Sequence, residues 1–130
     1  MREAVRAGLL RAAHDCSDGG LAVALAEMCF AKDVGCRVTL KSQLRADALL
    51  FGEDASRVVV SYRSGDRERV EAICSATGAP FEDVGQVGGS ALIVEGVLEA
   101  RIAELRESWS NAIPKLVGEG IHKAALEGVP

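Results

Sequence analysis

Apolar side chains recur along this chain in two rhythms, and the rhythm assigns most of its elements. Val5, Leu9 and Leu10 fall on one side of a helical repeat, which predicts a helix over residues 2–12. A polar, glycine-containing break follows, His14-Asp15-Cys16-Ser17-Asp18-Gly19-Gly20. Beyond it, Leu21, Leu25, Met28 and Cys29 recur at i, i+4, i+7 and i+8, the face of a second helix. Ala22, Ala24 and Ala26 fill most of its remaining surface, so it can approach a sheet closely, and Gly35 stops it.

Cys36, Val38 and Leu40 then alternate with Arg37 and Thr39, as in a half-buried strand. Leu44, Ala48 and Leu49 allow a short helix. Residues 57–62 are β-branched and nearly apolar, which predicts a strand at the centre of a sheet. Ser64-Gly65-Asp66 turns into a helix with Val70, Ile73 and Cys74 inward and Gly78 as its stop. Residues 80–87 and 90–95 read as strands joined by a Gly88-Gly89 hairpin, because tight hairpin turns need positive φ. A last helix is predicted from near Val97, with Ile102, Leu105 and Trp109 inward and Pro114 interrupting it. The expected architecture is α+β: a mixed, largely antiparallel sheet with helices packed on one side.

At 130 residues, 48% of them hydrophobic and 26% charged, the chain reads as one globular domain, residues 1–130, around one core. That balance excludes disordered and collagen-like classes. The net charge of −4, with scattered basic residues and only 4% aromatics, argues against a nucleic-acid partner. No apolar stretch approaches the ~20 residues of a membrane span. Met1-Arg2-Glu3-Ala4 does not open a secretion signal. Cys16, Cys29, Cys36 and Cys74 form no CxxC pair, which argues against a zinc knuckle or a thioredoxin-like motif. Cys29 and Cys74 read as small buried hydrophobes, and reduced thiols in the cytoplasm are expected rather than a disulfide framework.

The break at His14 to Gly20 is the segment richest in candidate chemistry. Free amides at a helix N-terminus, two glycines and a hydroxyl suit an anion or a phosphate. Asp15 and Asp18 suit Mg²⁺, which accepts one or two carboxylates together with phosphate oxygens. A plainer reading has Ser17 or Asp18 capping the helix while the glycines permit close packing. A hydrolytic triad of His14, Asp15 and Ser17, or a Cys16 nucleophile beside His14, is disfavoured, because sequence neighbours point apart. Phe51-Gly52-Glu53-Asp54 offers two carboxylates before a strand, or a solvated bend. Trp109 reads as a core anchor and His122 as a frayed surface residue.

The block from Ala13 through Gly20 to Glu27 resembles a signature of the phosphoribosylformylglycinamidine synthase family. Leu50-Phe51-Gly52-Glu53 with Arg57-Val58-Val59-Val60, Val84-Gly85-Gln86-Val87-Gly88-Gly89, and Leu105-Arg106-Glu107-Ser108-Trp109 resemble further blocks in the same order. The resemblance spans almost the whole chain. It is to the last domain of a much longer enzyme, of a type shared with aminoimidazole ribonucleotide, selenophosphate and thiamine-phosphate enzymes. It implies an ATP- and Mg²⁺-dependent ligase of purine biosynthesis that converts formylglycinamide ribonucleotide and ammonia to the amidine. The implied partners are the N-terminal domains of the same synthetase and a glutaminase supplying ammonia. It further implies Asp15 on Mg²⁺, Ser17 at the nucleotide with Gly19 and Gly20 beside it, and no activity in this chain alone. The alternatives are a non-catalytic nucleotide-binding or scaffold module, or a selenophosphate synthetase-like domain.

Overall fold

The computed structural model describes residues 1–53 and 55–126, with side chains as far as Val117. In chain order the elements are α1 (Arg2–Arg6), β1 (Leu10–Asp15), α2 (Gly20–Phe30), β2 (Cys36–Val38), α3 (Ala46–Phe51) and β3 (Val58–Tyr62). A 3₁₀ turn (Ser64–Asp66) leads into α4 (Arg67–Thr77), followed by β4 (Gly85–Val87), β5 (Ala91–Val94), β6 (Leu98–Arg101) and α5 (Ile102–Leu126).

The predicted helix over 2–12 stops early. Gly8 takes φ +66°, and the Gly8 and Leu9 amides donate to Val5 and Ala4 carbonyls, the bonding pattern that closes a helix on a left-handed residue. The chain leaves this turn extended as β1, which pairs antiparallel with β3 from Leu10↔Tyr62 to Asp15↔Val58, with an irregularity between Leu10 and Ala12. The apolar run at 57–62 therefore lies in a two-stranded sheet and not at the centre of a larger one.

The second sheet has the order β4-β2-β5-β6, antiparallel except for the parallel β2–β5 pair. Here Gly88-Gly89 is not a hairpin. The segment crosses the end of β2, so that β4 and β5 lie on either side of that strand. Gly35 donates to the Gly89 carbonyl and accepts from the Gly88 amide, both at 2.8 Å. A Cβ on Gly35 would stand 2.1 Å from the Ala91 carbonyl oxygen, so only glycine fits the crossing. The hairpin occurs one segment later, where Gly96 at φ +73° turns β5 into β6. That strand takes up the start of the predicted last helix.

The α+β class with a mixed, largely antiparallel arrangement is the one observed, divided between two sheets. α2 is the central packing element. Leu21, Ala24, Leu25 and Cys29 meet Cys36 and Val38 of β2, Leu50 of α3, Leu92 and Val94 of β5, and Ile102 of α5 in one core. α5 runs on through Pro114, which removes one donor from the helix without ending it. Trp109 is not a core anchor: it is 61% exposed, with its ring 5.7 Å from that of Phe30. Among the described side chains of α5, Ile102 is the buried one, and Leu105 is half-buried against the core. Val5 and Leu44 are exposed, and Cys74 is only half-buried.

Candidate functional site

β1 delivers His14 and Asp15 to the edge of the molecule, and a sharp turn leads from them into α2. Cys16 is fully buried, and its amide donates to the Arg57 carbonyl at 2.9 Å, which fixes the turn to the start of β3. This position belongs to the core and is unsuited to a nucleophile. Ser17 and Asp18 are exposed. Neither side chain caps α2: the cap position is Gly19, left-handed at φ +77°, with no side-chain cap bond.

The two glycines have specific geometric reasons. Gly20 has φ +70°, and a Cβ there would stand 2.8 Å from the Gly52 carbonyl oxygen and 2.9 Å from that of Leu50. Its amide donates to the Ser17 carbonyl at 3.1 Å. The Gly19 amide donates to Glu53 Oε1, also at 3.1 Å. The segment after α3 thus lies directly against the glycine turn, with a carboxylate at the N-terminus of α2, where the helix dipole favours negative charge. The second carboxylate expected in this segment, Asp54, lies outside the described residues.

His14 is held at both ring nitrogens. Nδ1 donates to the Asp15 carbonyl oxygen at 2.7 Å, and Nε2 donates to Glu27 Oε2 at 2.8 Å. Both partners are acceptors, so the geometry asks for a proton on each nitrogen. The bond to the Asp15 carbonyl raises the His14 pKa above 6.5; burial opposes this, and Glu27 adds to it. With its ring spent on these two partners, His14 is not paired with Ser17, and the arrangement is not a hydrolytic triad. Glu27 was not singled out from the sequence. The available signal was that it is the one charged residue in an otherwise apolar helix.

The Asp15 side chain is 69% exposed. Among the described residues, no group of three or more His, Cys, Asp or Glu side chains gathers closely enough to hold a metal ion. The side chain of His122 lies outside the described residues.

Residues 1–96 match the family of AIR synthase related proteins, C-terminal domain. The chain belongs to this family. It is 42% identical to the phosphoribosylformylglycinamidine synthase subunit PurL of Anaeromyxobacter sp. (strain Fw109-5), over 99% of this chain and 18% of that relative. It is 44% identical to the PurL subunit of Thermobifida fusca, over 86% of this chain and 15% of the relative. The chain thus spans less than a fifth of the length of these relatives. Among solved structures, T. maritima PurL complexed with ATP superposes with a TM-score of 0.67 over 78% of this chain and 19% of that one, at 20% identity. Protein tt0281 from Thermus thermophilus superposes with a TM-score of 0.59 over 72% of this chain and 34% of that one, at 26% identity. Both structures share the fold described above over the superposed part.

Proposed function

We propose that this chain is the C-terminal domain, residues 1–130, of a phosphoribosylformylglycinamidine synthase. The intact enzyme is an ATP-dependent ligase of purine biosynthesis that converts formylglycinamide ribonucleotide and ammonia to formylglycinamidine ribonucleotide. The observation that carries the reading is 42% identity to a PurL subunit along 99% of the chain.

In this reading Asp15 supplies a carboxylate oxygen to Mg²⁺, Ser17 a hydroxyl to the nucleotide, and Gly19 and Gly20 the turn that lets a phosphate approach. The exposed, oxygen-only donor set fits a hard cation already carrying phosphate and water. Mg²⁺ held by Asp15 would neutralise part of the phosphate charge of a nucleotide at Ser17. His14 fixes the Asp15 carbonyl and so orients the peptide that carries the carboxylate. The partners are the N-terminal domains of the same polypeptide and a glutaminase that delivers ammonia; a PurLQS assembly is known from Thermotoga maritima. The setting is the cytoplasm. Among the described residues, no helix is long and apolar enough to cross a membrane.

A second reading, a nucleotide-independent structural module, is favoured by one observation. The Gly19 and Gly20 amides are already bonded within the protein, to Glu53 and Ser17. The two readings separate in the full-length gene product. ATP-dependent amidation with ammonia and with glutamine is expected there, and none from residues 1–130 alone. Asp15→Asn should weaken Mg²⁺-dependent nucleotide binding more than Ser17→Ala, because a charged metal ligand outweighs one hydroxyl bond. Unchanged nucleotide affinity in the Asp15 variant would support the structural module, and absence of amidation would overturn the enzyme assignment.

A further inference from the structure

Cys29 lies in the last turn of α2 and Cys36 opens β2. Both are buried, and their sulfurs share a hydrogen bond at 3.8 Å. The candidate site uses neither of them. The chain between them is closely held: the Val34 amide donates to the Cys29 carbonyl at 3.3 Å, and Gly35 is bonded on both sides to Gly88 and Gly89. The return from helix to strand therefore aims two thiols at each other as a fixed pair. A disulfide places its sulfurs about 2.05 Å apart. Closing the bond means bringing the two sulfurs nearer by about 1.8 Å.

We propose that Cys29 and Cys36 form an oxidisable dithiol, a modification site that closes to an intramolecular disulfide on contact with a small hydroperoxide. The thiolate of one sulfur of the pair attacks one peroxide oxygen and the O–O bond breaks. The departing hydroxide becomes water with the proton that this thiol had released, and the attacking sulfur is left as a sulfenic acid. The second sulfur of the pair then attacks the oxidised one; the S–S bond forms as the S–O bond breaks, and the second hydroxide leaves as water with the second thiol's proton. Two thiols lose two electrons and one peroxide becomes two waters. The hydrogen bond that the two thiols share favours a single thiolate in the pair, while burial pushes both thiols up. Burial selects the oxidant, because a bulky disulfide such as oxidised glutathione does not reach sulfurs with this little exposure.

The test uses the full-length polypeptide. It is treated with hydrogen peroxide, alkylated under denaturing conditions and mapped by peptide mass spectrometry. The expected result is a peptide pair linked through Cys29 and Cys36, lighter by the mass of two hydrogens and restored by dithiothreitol. Oxidised glutathione at the same concentration should give no such link. In Cys36→Ser or in Cys29→Ser, dimedone should label the remaining cysteine of the pair. Two outcomes would overturn the proposal: consumption of Cys16 or Cys74 while Cys29 and Cys36 remain alkylatable, or over-oxidation of either Cys29 or Cys36 with no linked peptide in the unsubstituted protein. The mapping of that protein decides the matter even where a serine variant fails to fold.

Discussion

Glu53 Oε1 accepts the Gly19 amide at 3.1 Å across 34 residues of sequence, joining two motif blocks that are far apart in the chain. Gly20 lies against the backbone of the same segment, so the turn before α2 and the loop after α3 form one unit. The position of Asp15 and Ser17 depends on this seating.

Gly20→Ala should therefore be among the costlier glycine substitutions in the chain. The left-handed backbone alone costs about 1–2 kcal/mol for a residue with a side chain, and the new methyl meets backbone atoms that cannot yield. Gly19→Ala should cost less, because the atom in its way, Val23 Cγ2 at 2.5 Å, belongs to a side chain. At Gly88 a Cβ meets nothing within 4 Å, and alanine there should be within about 0.5 kcal/mol of neutral. Urea unfolding of the three variants checks the order.

Arg106→Ala should loosen the end of α2. Its guanidinium donates to the Phe30 carbonyl, pairs with Asp33 at 2.7 Å and lies 5.7 Å from the Phe30 ring centroid. The last carbonyls of a helix lack partners within it, and a cation there opposes the dipole's negative end. A loss of about 1.5–3 kcal/mol is expected, the range for hydrogen bonds to charged groups. Asp33→Asn should cost under about 1 kcal/mol, since that carboxylate is exposed. A double-mutant cycle separates the carbonyl bond from the ion pair.

His14 should make stability fall as the solution becomes alkaline. Its folded pKa is raised above 6.5, so its contribution is fully present below that value and is lost as pH rises through the folded pKa. The difference in unfolding free energy between the unsubstituted protein and His14→Gln should shrink across that interval. A ¹H NMR titration of the His14 ring should show a midpoint above 6.5. A midpoint below it would contradict the two-acceptor geometry.

Trp109→Ala should be mild for an aromatic truncation. The indole is 61% exposed, and its Phe30 contact is the kind of ring pair worth about 0.5–1.5 kcal/mol. Ile102→Ala, at a site 2% exposed, should cost about 2–5 kcal/mol. Thermal unfolding of the two variants ranks them.

The elements legible in the sequence were those whose pattern is local. The apolar repeat of α2, the alternation around Cys36 and Val38, and the β-branched run of β3 all state their conformation in their own residues. β1 does not: Ala12 and Ala13 have little strand preference, and the segment is extended because it pairs with Val60 and its neighbours. Gly88-Gly89 and Gly96 look alike as turn signals, and only the strand order shows which of them closes a hairpin. The helical repeat through Trp109 was correctly periodic, but periodicity does not say where the core ends. At the site, His14 to Gly20 was legible as a dense polar block. Its contacts to Glu27 and Glu53 were not, because each arises from packing between distant segments.

The strand order also sets a timetable for folding. β2 can complete its ladders only when Gln86 and Ile93 arrive beside Arg37, roughly fifty residues later in the chain. β1 likewise waits for β3. Closing such long loops precedes any stabilisation from the contacts they make, which slows folding. Among the described strands, β5 and β6 pair across a short turn, so their hairpin can form first and offer β5 as the template on which β2 adds. Gly96 then carries weight out of proportion to its exposed position. A substitution that disfavours its positive φ should delay the whole four-stranded sheet, whereas the same change at Gly88 should leave the rate alone.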